Sequence, residues 1–560
     1  MGFNALPPGP RLSASGYLPG GVLPAPRGCS TRTQWGGFAV PSPNRSAGTR
    51  KAVTYRTWDR LAARGSGVGS IQFHYANAYG GATPLAADNT GGEVADLQPI
   101  TVTASLEINA NPALTAWLPT DSGAVIVPLT FNGGQNAVTL AAGASTWTDD
   151  LFVRLAAAQA YYVNSHVAEP VNGIWPIRSQ GVKGLAAASA EGSNAGDYSL
   201  TVTAPGGTPT LTGTVPAANR PVVPGSLLVA GSGITGLASD NGSGAITGTG
   251  VSSGTIDYST GAISITLTTT PAAGTAYSAN VVGGTAPVDE TKTKTKTNYY
   301  STGSNAKGNF APDAARGRPL VSATPRLRTI AMIGDSILAG AGSTSGDVSW
   351  VDYCAAQGGF GVIKLPVVGE KAQTFAQALG SYRRLNALAG NFDRIVGNYA
   401  TNDIALGRSL AQVQADLATI WQMLALLCPN GAADIWWCTL LPRTTRPGNV
   451  AIVPGSGPYT AAGAAYGSGT VAGGSPSARN ALNAWLHAQV GSAIGGVVDI
   501  AAAVELNPAS RAGGGSGQWA DVANDSADGT HPSQTAHQTK IPALLGPSGT
   551  APSPAWTFPV

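Results

Sequence analysis

Four short stretches carry residue types that could act together on one carbonyl group. The first is Gly334-Asp335-Ser336, which follows five mostly apolar residues of strand type and precedes a small-residue segment able to start a helix. That order presents a hydroxyl at the carboxyl end of a buried strand, where an α/β sheet places its chemistry. The last is Asp528-Gly529-Thr530-His531-Pro532-Ser533. An aspartate and a histidine three apart on one turn can lie side by side, so that the carboxylate holds one imidazole tautomer while the other ring nitrogen faces a serine hydroxyl. Between them, Asn402 follows a strand-like segment and can donate from its amide to a developing oxyanion. Gly369 follows another such segment, and a glycine there lets its N–H approach a ligand closely. Each stretch also fits a plainer role. Gly-Asp-Ser and His-Pro are ordinary turn compositions, Asn402 or Asp403 suits a helix N-cap, and Gly369 suits a simple turn.

These stretches must be positioned by regular elements, and from Leu327 the hydrophobic pattern alternates between strand and helix. Strands are expected over residues 329–333, 361–365, 394–399, 434–440 and 496–500, with helices over 371–389, 409–427 and 478–490. Such alternation predicts a parallel sheet covered by helices, an α/β/α domain of flavodoxin-like type.

Gly-Asp-Ser after the first strand, Gly after the second, Asn-Asp after the third and Asp-x-x-His before the last helix resemble the block pattern of the SGNH (GDSL-type) hydrolases. The resemblance implies a three-layer fold and ester hydrolysis without a metal or other cofactor. It implies Ser336 as nucleophile, His531 as general base and acid, and Asp528 as its orienter. The oxyanion hole would then comprise the backbone N–H groups of Ser336 and Gly369 and the side-chain amide of Asn402. Two positions depart from the pattern: no asparagine stands two before Gly369, and Ala400 occupies the place where the third block usually begins with glycine. The chemistry expected is acyl transfer, in which His531 takes the Ser336 proton, Ser336 attacks an ester carbonyl, the donors hold the tetrahedral oxyanion and water releases the acid.

The remainder of the chain has a different character. The 560 residues of the whole chain exceed one core, and its 75 Gly and 39 Pro with only 11% charged residues describe turn-rich β structure with small side chains. A net charge of +3 gives no electrostatic reason to expect nucleic acid or an anionic membrane as partner. No apolar stretch is long enough for a membrane span, and residues 1–10 lack a basic region followed by an apolar one. Cys29, Cys354, Cys428 and Cys438 follow no metal-ligand spacing; they read as buried free thiols, with a disulfide between two of the last three left open.

In chain order, residues 1–47 read as an extended N-terminal arm and 48–198 as an all-β domain of sandwich or jelly-roll type, marked by alternation such as that over 71–77, 100–106 and 125–131. The turn-rich order from Tyr75 to Asp150 resembles a β-sandwich that precedes the catalytic domain in some two-domain bacterial GDSL-type esterases. Residues 199–285 read as an inserted small β module, and their strand-turn-strand pattern resembles small β modules of phage tail and baseplate proteins. Lys292, Lys294 and Lys296 alternate in a β edge segment, and 305–326 read as a linker, so that 286–326 joins the β half to a hydrolase domain at 327–560. His74 and His166 are expected in packing or surface roles, His487 on an amphipathic helix, and His537 facing outward on the terminal helix.

The expected function is removal of O-acetyl groups from a bacterial surface polysaccharide by an esterase carried on a phage virion. Other virion proteins, or further copies of the chain in a homo-oligomer, would be its partners. A secreted bacterial carbohydrate esterase is the first alternative; a structural or adhesion virion protein with a non-catalytic SGNH scaffold is the second.

Overall fold

The structure is a computed structural model. It describes residues 27–29, 53–62, 67–82, 91–95, 99–114, 123–167, 197–217, 227–241, 243–282, 312–320, 328–343, 349–377, 390–445, 477–505, 519–526 and 528–545, with the short pieces 40–41, 174–175, 178–179, 190–192, 220, 222, 308–309 and 460–461.

The C-terminal sheet is built on Thr329–Gly334, all of whose residues are buried. A continuous apolar run is what a strand covered on both faces requires. Gly361–Lys364 lies on one side of it and Arg394–Asn398 on the other, followed by Ile435–Cys438 and Gly496–Val498. All four pairings are parallel. Taking these five strands in chain order, the sheet order is 2-1-3-4-5, which puts a switch point at the carboxyl end of the first strand. Alternate side chains feed two separate cores. Ala331 and Ile333 join Ile363, Leu417, Ile420, Trp421 and Trp437 on one face, while Ile330 and Met332 join Val362, Val396, Trp350 and Ala355 on the other.

Helix Leu410–Leu427 covers the first face with Val413, Leu417, Ile420, Trp421 and Leu424, a spacing that makes one apolar stripe. Its start is fixed by a capping box: Ser409 Oγ accepts the Gln412 N–H at 3.3 Å, and Gln412 Oε1 accepts the Ser409 N–H at 3.0 Å. Large aromatics on this sheet require missing side chains beside them. A Cβ at Gly397 would stand 2.1 Å from the Trp437 ring. Of the helix expected over 371–389, Ala372–Gln377 is formed, and 378–389 lies outside the described residues.

The N-terminal region is strand-rich. One antiparallel sheet runs Arg27–Gly28, Ala314–Pro319, Val68–Ala76, Ser145–Trp147. A second runs Ala190–Gly192, Val53–Arg60, Ala160–Val167, Ile100–Asn109, Ala124–Leu129, with Val138–Leu140 also on Ile100–Asn109. Ile71, Phe73 and Tyr75 from the first sheet and Val102, Leu106, Tyr161 and Val163 from the second share one core. Residues 197–282 form two further antiparallel sheets whose strands pair only with one another among the described residues.

Two expectations are corrected here. The stretch 305–326 is not all linker, because Ala314–Pro319 is an interior strand, paired to Arg27–Gly28 and to Val68–Ala76. Its sequence, Ala-Ala-Arg-Gly-Arg-Pro, lacks strand-forming residues, and cross-strand partners make it a strand. Arg316 lies over the Trp147 ring at 3.9 Å, and Arg318 Nη2 reaches Asp150 Oδ2 at 3.0 Å. The arm is likewise not wholly separate, since Cys29 is fully buried in the β core. The Lys292–Lys296 alternation lies outside the described residues. All four cysteines are buried and free.

The two halves meet at this same strand. Ala76, Ala78 and Ala314 belong to the apolar cluster of the parallel sheet. Beside them His74, buried rather than on the surface, places Nδ1 2.5 Å from Asp313 Oδ1, and Arg316 Nη1 reaches Asn391 Oδ1 at 3.5 Å.

Candidate active site

Strand Thr329–Gly334 ends in a tight turn that starts a four-residue helix, Ser336–Ala339. Asp335 caps this helix, its Oδ1 accepting the Ile337 N–H at 2.9 Å, and its own N–H donates to the Asn398 carbonyl at 3.2 Å. Ser336 is thus the first helical residue, where backbone N–H groups have no intrahelical acceptor. Its side chain is buried except for a sliver, at 6% exposure. Burial pushes the Asp335 carboxyl up to about 7, and the nearby Asp403 and Glu370 act in the same direction. The Ile337 N–H and His531 oppose this shift.

His531 arrives from the far end of the chain. Its Nε2 lies 2.8 Å from Ser336 Oγ, and its Nδ1 lies 2.5 Å from Asp528 Oδ2. The other Asp528 oxygen accepts the N–H groups of Thr530 and His531, both at 2.8 Å. Partial burial works against ionisation of Asp528. The hydrogen bonds and charge of His531, with the two backbone N–H groups, outweigh it and hold the carboxyl well below its usual range. An ionised Asp528 therefore fixes the Nδ1–H tautomer, which leaves Nε2 as acceptor toward the serine hydroxyl.

The loop that presents this pair is pinned from two sides at one atom. The Gly529 carbonyl accepts the Thr444 N–H at 2.9 Å and the Trp519 Nε1–H at 3.1 Å. Trp519 is bridged to Glu505, whose carboxylate makes a two-pronged contact with Arg479 at 2.8 Å for each oxygen, deep in the interior. Sequence reasoning missed Thr444, Trp519, Arg479 and Glu505. A bond to a backbone carbonyl leaves no pattern along the chain, whereas Arg479 stands three and seven residues before Leu482 and Leu486 on the buried face of its helix, a spacing that could have pointed to it.

On the opposite side, Gly369 sits in the left-handed region at φ 77°, after the second strand, where a side chain would be strained. Asn402 lies in helix Thr401–Ala405 after the third strand and donates from Nδ2 to the Glu370 carbonyl at 3.1 Å. Its amide thereby ties the Gly369 loop to the third strand and retains a second N–H. Asp403 does not cap its own helix. It accepts the N–H groups of Ala372 and Gln373, at 2.9 and 3.2 Å, and so caps the helix after Gly369. Ala400 takes φ 99°, a conformation that costs a non-glycine residue roughly 1–2 kcal/mol. The unusual alanine therefore stands where the backbone itself calls for glycine. Replacing Asn402 with alanine is expected to lower kcat on a short acyl ester by about 10²-fold, the loss that follows from the oxyanion-donor role implied by the family resemblance. Steady-state kinetics on the purified variant checks this.

His537 is a further correction. It faces inward and is fully buried, and its environment pushes it down to about 3, burial being the main cause.

A strand-end serine with a histidine and an aspartate in line behind it occurs on several unrelated hydrolase folds, and residues 332–539 match the GDSL-like lipase/acylhydrolase family. Those residues form a GDSL-like lipase/acylhydrolase domain. This hydrolase domain is similar to solved structures of low sequence identity. A member of the lipolytic protein G-D-S-L family from Veillonella parvula is 16% identical, over 39% of this chain and 96% of that one, with a TM-score of 0.27. A carbohydrate esterase family 2 enzyme with a carbohydrate binding domain, from Corynascus thermopiles (Myceliophthora fergusii), is 15% identical over 62% of this chain and 93% of that one, with a TM-score of 0.26. No curated protein matches the chain.

Proposed function

We propose that the GDSL-type domain is a serine esterase with Ser336 as nucleophile, His531 as general base and acid, and Asp528 as orienter. The observation that carries this reading is the line Ser336 Oγ, His531 Nε2, His531 Nδ1, Asp528 Oδ2, with contacts of 2.8 and 2.5 Å. The Ser336 oxygen attacks the ester carbon as its proton passes to His531 Nε2. The tetrahedral oxyanion is met by the Ser336 and Gly369 N–H groups and by the Asn402 amide. Collapse expels the alcohol, which takes the proton from His531. A water molecule, deprotonated by His531, then attacks the acyl group, and the acid leaves as the proton returns to Ser336.

The substrate we propose is an O-acetylated polysaccharide, with the protein acting as part of a phage particle. A small acyl group is the reading we favour for the strand-end site, and the turn-rich β module at 197–282, which pairs only within itself among the described residues, suits attachment or glycan contact. The purified 560-residue chain should hydrolyse p-nitrophenyl acetate and release acetate from acetylated bacterial polysaccharide, read by an acetate assay. Activity on the small ester without acetate release from any acetylated glycan would overturn the substrate and retain the esterase.

A further inference from the structure

We propose that His537 is a positioning residue that keeps the loop carrying Ser336 in register with the loop carrying His531; this rests on the esterase reading above. Both ring nitrogens of this buried side chain are engaged. Nδ1 lies 3.2 Å from the Trp350 N–H and can only accept from it. Nδ1 is therefore unprotonated, and Nε2 carries the proton, which it donates to the Ala341 carbonyl at 3.2 Å. Ala341 in turn donates its N–H to the carbonyl of Ser336 at 2.9 Å. Two hydrogen bonds thus connect His537 to the backbone of the nucleophile.

The other end of the link is the base. His537 stands six residues after His531 in one π-helical turn, Ala536–Lys540, and its N–H donates to the Ser533 carbonyl at 2.9 Å. Such widened turns recur at functional sites, because they re-aim a side chain without ending the helix. Two further contacts join the same loops. A Cβ on Gly342 would stand 2.2 Å from the Pro532 carbonyl oxygen and 3.1 Å from His531 Cβ, so the loops touch almost backbone to backbone. Ser343 Oγ lies 2.6 Å from Gln534 Oε1. His537 bonds both the turn that follows Ser336 and the backbone of the first residue of the next helix, Trp350–Gly358, and Gln534 spans the same two elements through side chains, from Ser343 Oγ to the Tyr353 hydroxyl, the latter at 2.9 Å. A neutral ring is required for this, since a protonated Nδ1 would meet the Trp350 N–H donor to donor. Burial, with Lys364 and His531 nearby, keeps the ring neutral against the opposing pull of the Ala341 carbonyl.

The test compares His537→Phe, which fills similar volume and removes both bonds, with His537→Gln, whose amide N–H can still reach toward Ala341. Active sites are titrated with a fluorophosphonate that reacts with Ser336, and kcat and KM on p-nitrophenyl acetate are expressed per titrated serine. Displacing one reacting group by a fraction of an ångström to 1 Å is expected to lower kcat per site by about 10- to 100-fold, with KM within about twofold and partial recovery in His537→Gln. If His537→Phe does not fold, His537→Asn, which is too short to reach Ala341, is expected to show the same loss. A variant with fewer titratable serines but unchanged kcat per site would overturn the proposal, because its histidine would then serve stability alone. A wild-type protein that neither reacts with the fluorophosphonate nor hydrolyses the ester would overturn the esterase reading, and this role with it.

Discussion

Replacing Ser336 with alanine is expected to lower kcat on p-nitrophenyl acetate by about 10⁴- to 10⁶-fold, while thermal unfolding changes little. The two outcomes follow from what the side chain touches. The side-chain bond of Ser336 in this site is the one to His531 Nε2, and one hydrogen bond contributes about 1 kcal/mol to stability. In the proposed mechanism the same oxygen forms the covalent bond to the acyl group. Water attacking directly would still find the oxyanion donors and His531, which accounts for a residual rate above background. The measurement is steady-state kinetics beside a melting curve for both proteins. A variant that retains more than about a tenth of the wild-type kcat would remove Ser336 from the mechanism.

How much of this site is visible in the sequence depends on the range of each interaction. Ser336 is legible because strand, turn and helix start are adjacent in the chain. Asp528 and His531 are legible because a carboxylate and an imidazole three apart can bond on one turn, as they do at 2.5 Å. The five strands are legible because a sheet covered on both faces needs continuous apolar runs. Ala314–Pro319 was hidden for the opposite reason, since its strand character is imposed by Val68–Ala76 and Arg27–Gly28 and by arginines packed on Trp147 and Asp150. The polar neighbours Gln538, Thr539 and Lys540 give no sign in the sequence that His537 is buried. Its burial follows from two backbone partners contributed by residues nearly two hundred positions away. Ala400 lies between these cases: its departure from the family pattern is plain in sequence, but its positive φ appears only in three dimensions.

Glu505→Ala is expected to destabilise the hydrolase domain by about 3–5 kcal/mol, a large share of a domain's usual 5–15 kcal/mol. Arg479 is fully buried, and its guanidinium faces both Glu505 oxygens at 2.8 Å, with the Leu440 and Leu441 carbonyls and Asn480 Oδ1 completing its acceptors. Removing the carboxylate leaves a cation in the interior without its counter-charge, and carbonyl dipoles do not make up that difference. The contrast within the same chain is Arg318 with Asp150, whose side chains are 20% and 22% exposed. Water screens that pair, and Asp150→Ala is expected to cost no more than about 1 kcal/mol through it. Because the chain has several cores, the transition is best followed by loss of esterase activity in urea, which reports the hydrolase domain rather than the β half. The backbone bridge between residues 505 and 519 does not depend on the carboxylate, so Trp519 should keep its hold on the Gly529 carbonyl and kcat is expected to persist until the domain unfolds. The decisive comparison is the double variant Arg479→Met, Glu505→Leu. If an unpaired buried charge is the cause, replacing both ions with apolar groups of similar size recovers most of the lost stability. If the double variant is as unstable as Glu505→Ala, the loss does not come from the unpaired charge.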